Sequence, residues 1–251
     1  MQTTAIEWAD ATWNPVTGCT KISPGCQHCY AERMATRLRG RFGYPAEDPF
    51  EVTVHRERLS EPLHWRSPKR IFVCSMGDLF HEDVPAWVVR EVYDIAALAP
   101  QHTFIVLTKR PDQMINLFYG SRPWDPREPR LPMDWPTPLN VWHLVSVEAQ
   151  YLARQRIGAL LELRDHAPEW RVLGVSVEPM LGPVDLSPWI RELDWVICGA
   201  ETGPGRRRMD VAWAKALRDQ CLEWGVPFFF KRHEGEHLLD GQVWEQFPKV
   251  I

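Results

Sequence analysis

Short apolar runs alternate with longer amphipathic stretches along most of the chain. The apolar runs are rich in Val, Ile and Phe, and they predict strands at about 12–16, 70–74, 103–107, 141–147, 171–177, 195–198 and 227–230. The amphipathic stretches predict helices at about 28–39, 85–98, 111–118, 150–163 and 211–224. Apolar strands joined by helices of this length are typical of a parallel sheet covered by helices. We therefore expect an α/β fold, an incomplete or complete (β/α) TIM-like barrel, with an open doubly wound sheet as the alternative.

The alternation continues through the chain without a sequence repeat, which favours a single barrel-like domain over residues 1–251. Its 45% apolar content is enough to fill one sizeable core. Six prolines between Pro123 and Pro138 predict an extended, polyproline-like insertion at about 121–140. The residues from about 233 to 251 are expected to form a short C-terminal extension.

Composition and charge indicate the compartment in which the protein works and the partners it can bind. The N-terminus has no basic region followed by an apolar one, and no apolar run approaches about 18 residues, so we expect a cytoplasmic protein with no membrane partner. The net charge of -4 provides no overall basic field for a polyanion. A local basic patch could still bind nucleic acid, which keeps nucleic acid among the expected partners.

Polar or charged residues follow six of the predicted strands. Because parallel strands deliver their carboxyl ends to one edge, these residues predict the rim of an active site. Each of them taken alone is also compatible with a helix cap or a surface charge. The candidates for substrate contact or proton transfer are Lys109, Arg110, Glu148, Glu178 and Lys231. The other strand-end candidates are Ser75, Gly77, Asp78, Gly199, Glu201 and Gly203.

Three cysteines, Cys19, Cys26 and Cys29, lie within eleven residues near the start of the chain. In a reducing compartment such a group indicates a metal or redox site rather than disulfides. Three thiolates can bind three irons of a [4Fe–4S] cluster and leave the fourth iron open to another ligand. The alternatives are a zinc site, completed by His28, Cys74 or another residue, and thiols that bind no metal.

The cysteine loop resembles that of the radical S-adenosylmethionine (radical SAM) superfamily. His28 occupies the position before the last cysteine that is commonly aromatic, although the first gap is six residues long instead of the usual three. Nearly the whole chain also resembles an uncharacterised phage-associated family with three cysteines. The motifs that carry this second resemblance lie at 13–32, 75–85, 107–111, 176–183, 201–205 and 226–231.

These resemblances imply an enzyme that uses a [4Fe–4S] cluster and S-adenosylmethionine for radical chemistry, with an external electron donor. The substrate is unknown, and a nucleic-acid-related substrate is one candidate. By resemblance, Ser75, Gly77 and Asp78 would hold the methionyl group of the cofactor. The turn with Gly199, Glu201 and Gly203 would approach the adenosine or a phosphate-bearing substrate. The alternative function is a zinc-stabilised barrel that binds nucleic acid or protein.

The sequence also suggests roles for three further groups of residues. The run 206–208 consists of three arginines, which could meet phosphate or carboxylate at the same mouth or form a solvated basic face. The neighbours His81, Glu82 and Asp83 are expected to cap the helix that begins at Pro85 rather than to bind a metal. Two remaining cysteines, Cys198 and Cys221, are expected to be small buried apolar residues.

Overall fold

The computed structural model describes residues 4–119, 138–166 and 172–249, so most of the predicted proline-rich insertion lies outside the described residues. The α-helices in these ranges are α1 Tyr30–Leu38, α2 Ala86–Leu98, α3 Pro111–Phe118, α4 Gln150–His166 and α5 Val211–Trp224. The strands are β1 Ala11–Trp13, β2 Val16–Thr17, β3 Thr53–Val54, β4 Arg70–Val73, β5 Thr103–Thr108, β6 Val141–Val147, β7 Leu173–Val177, β8 Trp195–Cys198, β9 Phe228–Phe230, β10 Leu238–Leu239 and β11 Gln242–Val243. The apolar runs and amphipathic stretches therefore predict the main strands and helices to within a few residues.

One parallel sheet organises the described part of the chain. Its strand order is β1-β4-β5-β6-β7-β8-β9, and each neighbouring pair is parallel. The sheet curls without pairing β1 to β9, so it is an α/β half-barrel. This confirms the incomplete form of the predicted barrel. Because all strands run the same way, the loops after them meet at one end.

Both faces of the sheet are buried, which explains why its central strands are almost continuously apolar. All seven residues of β6 are buried, for example. Valines such as Val145 pack toward the helices in the larger core cluster. On the other face, Trp8, Trp142 and Trp195 form a smaller cluster that fills the concave side of the half-barrel. The aromatic residues therefore close the interior below the loops.

The C-terminal residues cover one edge of the sheet. Phe230 N donates to Trp244 O at 2.8 Å, and Gln246 N donates to Phe228 O at 3.1 Å. These bonds satisfy backbone groups of β9 that an edge strand would otherwise expose. Cys198 in β8 and Cys221 in α5 are fully buried, as the sequence predicted.

The described residues include no helix that is both long enough and apolar enough to cross a membrane.

Candidate functional site

The three clustered cysteines open onto one cavity of about 250 Å³ at the carboxyl ends of the strands. Most of the strand-end residues singled out from the sequence share this cavity. Its lining includes Cys19, Cys26, Cys29, Ser75, Gly77, Asp78, Lys109, Arg110, Glu178 and Glu201. The candidates outside the lining are Glu148, Gly199, Gly203 and Lys231. The parallel sheet thus brings together groups that are far apart in sequence.

The cysteine loop begins at a backbone position that requires glycine. Gly18 has φ +86°, and any side chain there would collide with the backbone at Glu51. A short 3-10 turn, Pro24–Cys26, follows, and helix α1 starts directly after Cys29. A negative charge on the sulfur of Cys29 would therefore lie near the positive end of the α1 dipole. All three cysteines are free thiols.

Arg110, at the end of β5, binds the first cysteine of the loop. Its Nη1 donates to Cys19 Sγ at 3.3 Å, and its Nη2 donates to Thr20 Oγ1 at 2.7 Å and Thr20 O at 3.2 Å. Burial raises the pKa of Cys19 to about 11, the charge of Asp78 adds to this shift, and Arg110 opposes it. A metal that binds this sulfur must therefore displace a proton, with Arg110 stabilising the resulting thiolate.

Asp78 is a buried carboxylate on the cavity wall with several donors already bound. Its oxygens accept from Thr108 Oγ1 at 2.8 Å, Lys109 N at 3.1 Å and Phe80 N at 3.1 Å. Beside it, Asn14 Oδ1 accepts from Ser75 Oγ at 3.1 Å and Met76 N at 3.0 Å. These bonds fix the loop after β4 in place.

Glu148 is fully buried and braces the cysteine loop from beneath. Its carboxylate contacts Lys109 Nζ at 2.7 Å and Arg156 Nη1 at 3.2 Å, and it accepts from Ser23 Oγ at 2.9 Å. Gly25 packs so closely that a Cβ on it would collide with the Glu148 carboxylate. Glu148 therefore joins the 3-10 turn of the loop to two cations of the barrel.

Glu201, after β8, ties the loop to the far side of the cavity. Its Oε2 lies 3.0 Å from His28 Nδ1, and its two oxygens bind the Arg207 guanidinium. Arg207 Nη2 also donates to Pro24 O at 3.0 Å. Burial would raise the pKa of Glu201, but the hydrogen bonds from Arg207 and His28 outweigh it and lower that pKa to about 2. The carboxylate is thus ionised and held against the cysteine loop.

The remaining predicted residues lie at the edges of this arrangement. Lys231 Nζ is 2.5 Å from Glu178 Oε1 and 4.0 Å from Glu7 Oε2. Gly199 O accepts from Met180 N at 3.0 Å, so its contact is with backbone. Gly203 has φ +94° and lies against the Arg33 guanidinium, whose Nη1 is buried without a hydrogen-bond partner among the described residues.

The expectation that residues 81–83 cap helix α2 is wrong. The helix has no side-chain cap at its N-terminus. His81 Nε2 instead lies 2.8 Å from Thr20 Oγ1, and Glu82 Oε2 accepts from Arg110 Nε at 3.0 Å. The intervening turn directs these side chains toward the cysteine loop, where they add to its support.

Sequence reasoning gave no supporting role to Asn14, Ser23, Gly25 and Arg156, whereas the expected contact of the arginine run with a carboxylate is made by Arg207 on Glu201. A usable signal existed for Arg156, because helical spacing places it on the same face of α4 as the buried Leu152 and Leu160. A charged residue on an apolar face needs a buried partner, and here the partner is Glu148.

The side chains at this cavity include donors suited to a metal group. Within residues 4–119, 138–166 and 172–249, no three His, Cys, Asp or Glu side chains converge on a single-ion site. Cys19, Cys26 and Cys29 nevertheless line the same cavity, and thiols are the ligands that iron–sulfur clusters use. The chemistry of the donors therefore fits a cluster bound at this wall.

Residues 3–248 match the sequence profile of a family described as "Protein of unknown function (DUF5131)". The chain belongs to the DUF5131 family. A search of curated proteins gives no match to this DUF5131 protein.

Three solved structures resemble the DUF5131 protein in fold. Spore photoproduct lyase complexed with dinucleoside spore photoproduct has a TM-score of 0.57 and 13% identity, over 92% of this chain and 79% of that chain. A tyrosine-to-phenylalanine mutant of the lyase gives 0.54 and 10%, over 92% and 78%. A cysteine-to-serine mutant gives 0.53 and 12%, over 92% and 79%. The DUF5131 protein therefore shares the TIM-like half-barrel fold of spore photoproduct lyase.

Proposed function

We propose that this protein is a radical-SAM-type enzyme that holds a [4Fe–4S] cluster through Cys19, Cys26 and Cys29. The observation that carries the proposal is the opening of three free thiols from one loop onto a single cavity at the carboxyl end of a half-barrel. Three cysteine ligands leave one iron available to a further ligand. The fold similarity to spore photoproduct lyase is consistent with this chemistry.

When bound, the cluster and S-adenosylmethionine would supply a 5′-deoxyadenosyl radical that abstracts hydrogen from a substrate. The chain's own residues bind and orient the reactants and exclude competing reactions. Arg110 would stabilise the Cys19 thiolate through its 3.3 Å hydrogen bond. Glu148 and Glu201 would keep the loop at a fixed distance from the barrel through Ser23, His28 and Arg207.

The cavity wall beside the cysteines is the proposed place for S-adenosylmethionine. Ser75, Gly77 and Asp78 line it, and a Cβ on Gly77 would come within 2.8 Å of Gly18 O, so the backbone there must stay close-packed. Because Asp78 already accepts several hydrogen bonds, it would meet the cofactor's ammonium as a preorganised carboxylate.

The substrate is proposed to enter from the rim formed by Glu178 and Lys231. This ion pair joins the ends of β7 and β9, and Glu178 lines the cavity. One neighbouring structure holds a dinucleoside photoproduct, and a nucleic-acid substrate is the class we propose for this chain. Glu178 and Lys231 would then position the substrate rather than the cluster.

Anaerobic reconstitution with iron and sulfide tests the cluster directly. We expect about four irons and four sulfides per chain for the wild type. Loss of iron binding is expected in C19S, C26S and C29S, with retention in the matched control C221S, because Cys221 is buried in α5 away from the cavity. A colourless protein with one tightly bound zinc per chain would contradict the cluster and favour the zinc-stabilised module.

Electron paramagnetic resonance tests the cofactor separately. Addition of S-adenosylmethionine to the reduced protein is expected to change the cluster signal, since the open iron gains a ligand. D78N should weaken this response while leaving the iron content unchanged. An unaltered spectrum at saturating S-adenosylmethionine would mean that the protein binds a cluster but does not use this cofactor.

A further inference from the structure

A second cavity, of about 270 Å³, lies beside the first. Ala200 and Glu201 line both cavities, so the two are separated only by the turn after β8. The remaining walls of the second cavity come from the arginine run and from the loop after β9. They are formed by Gly205, Arg206, Arg207, Arg208, Met209, His233 and Glu234. None of Cys19, Cys26, Cys29, Ser75, Gly77 and Asp78 contributes to it.

Two of the three arginines are available to a ligand. Arg207 is occupied, because its guanidinium binds Glu201 and Pro24 O. Arg208 is only loosely paired: its Nε is 3.9 Å from Glu234 Oε1, and its side chain is 93% exposed. Arg206 is exposed and has no ion pair or hydrogen bond within the described ranges. The second cavity therefore presents two uncommitted guanidinium groups.

Further polar groups line the same cavity. His233 Nδ1 is shielded from solvent and has no hydrogen-bond partner among the residues that the structure describes. The turn that carries Arg206 includes Gly205 at φ +72°, a conformation in which successive backbone N–H groups can form a concave anion site. Glu201, the carboxylate shared with the first cavity, is already neutralised by Arg207. The three arginines that line this cavity therefore outnumber its two carboxylates, Glu201 and Glu234.

We propose that the second cavity is a phosphodiester-binding subsite for a single-stranded nucleic-acid substrate. Arginine forks and backbone N–H groups are well suited to phosphate oxygens. A phosphate held by Arg206 and Arg208 would lie next to the shared wall, which places the adjoining nucleotide toward the cavity of the cysteines. The exposed side of Arg208 leaves room for the strand to continue into solvent.

This subsite deepens the proposed function by naming its substrate class, but its binding does not depend on the cluster. The net charge of -4 means that attraction to a polyanion must be local. Removal of the two uncommitted arginines should therefore abolish most of the binding, whereas other exposed arginines should contribute little.

Fluorescence anisotropy with a labelled single-stranded DNA 12-mer tests the subsite on the full chain, both as isolated and after reconstitution. We expect R206A/R208A to bind roughly tenfold more weakly than the wild type, with the salt slope reduced by about 0.7, the contribution of one phosphate contact on a single strand. R206K/R208K should retain much of the affinity because the charge remains. The matched control is R66A/R154A, which removes two exposed arginines outside both cavities and should bind like the wild type.

Competition distinguishes the possible ligands. An unlabelled oligonucleotide should displace the probe at far lower concentration than inorganic phosphate, a mononucleotide or polyglutamate. Equal competition by a mononucleotide would identify a free phosphate site, and stronger competition by polyglutamate would identify a protein-binding surface; either result overturns the proposal. No binding by the wild type, or equal binding by R206A/R208A, would also overturn it.

Two further readouts separate this inference from the proposed function. R206A/R208A should retain wild-type iron content and an unchanged affinity for S-adenosylmethionine, which has no phosphate. Loss of that affinity in the variant would assign the arginines to the cofactor and overturn the subsite. Failure of the wild type to form a cluster, with DNA binding intact, would reject the proposed enzyme and leave the subsite standing.

Discussion

Arg110 and Cys19 are joined by a hydrogen bond of 3.3 Å from Nη1 to Sγ. They are 91 residues apart in sequence and meet because the loops after β1 and β5 share one end of the sheet. Asp78 accepts from the same Nη1 at 3.5 Å, Glu82 accepts from Nε, and Thr20 accepts from Nη2. The charge beside the first cysteine is therefore fixed in position rather than free to swing into solvent.

Substitution of Arg110 should lower the reduction potential of a cluster bound at the cysteines. Hydrogen bonds and positive charge near a ligand sulfur favour the reduced, more negative state. A loss of about 1 kcal/mol of this preference corresponds to roughly 40 mV for a one-electron couple. Redox titration followed by electron paramagnetic resonance should give R110Q a lower potential than the wild type, with R110K between them. Identical potentials in all three proteins would exclude this role.

Gly25→Ala should impair metal loading although the new side chain is small. Its Cβ would collide with the Glu148 carboxylate, which Lys109 and Arg156 hold in place. Overpacking of this kind costs about 1–3 kcal/mol. The matched control is Gly182→Ala, in the loop after β7, where a Cβ meets nothing within 4 Å. Iron content after reconstitution should fall for G25A only; equal iron content in both variants would show that the loop can move away from Glu148.

Glu201→Gln should destabilise the protein by about 1–3 kcal/mol, because Arg207 and His28 lose a buried ionised partner. The lowered pKa of Glu201, about 2, gives the sign of the pH effect. Its stabilisation is present above the unfolded value near 4.5 and is lost as the pH falls toward 2. Urea unfolding of the metal-free chain at pH 7 and at pH 4 should show a smaller difference between E201Q and wild type at pH 4. A constant difference would argue against the ion pair.

His143 should make the fold sensitive to mild acid. Burial lowers the pKa of His143 to about 3, whereas an unfolded histidine titrates near 6.5. Between these values the unfolded chain takes up a proton that the folded chain does not, so stability falls as the pH decreases below 6.5, by up to about 1.4 kcal/mol per pH unit. H143Q, whose amide keeps a hydrogen-bonding group beside Tyr93, should show a shallower decline between pH 6.5 and 5 in urea unfolding. Equal slopes would mean that His143 is not the responsible group.

The sequence predicts the fold well because its signals are local. The run that became β6 is apolar throughout, and Pro111 and Gly225 mark helix ends that the structure reproduces. The smaller core cluster on the concave side of the half-barrel was not predictable from local signals. Trp8 and Phe247 pack against the concave face from opposite ends of the chain, and no local pattern indicates that contact.

Sequence signals predict only part of the candidate site. The strand-end rule brings Asp78 and Glu178 to the cavity because chain direction alone decides where they go. It could not show that Glu148 would be fully buried beneath the cysteine loop, since that depends on Arg156 arriving from α4. The phage association and the individual roles of the rim residues stay predictions.

The contacts that hold the cysteine loop in place can form only late in the synthesis of the chain. Arg207, which binds Pro24 O, is 183 residues further along the chain. At about 5–20 residues per second, a ribosome needs roughly 10–35 s to produce that interval after the cysteines have been made. The thiols therefore emerge long before the contacts that hold them, and we expect metal loading to follow completion of the chain rather than accompany it.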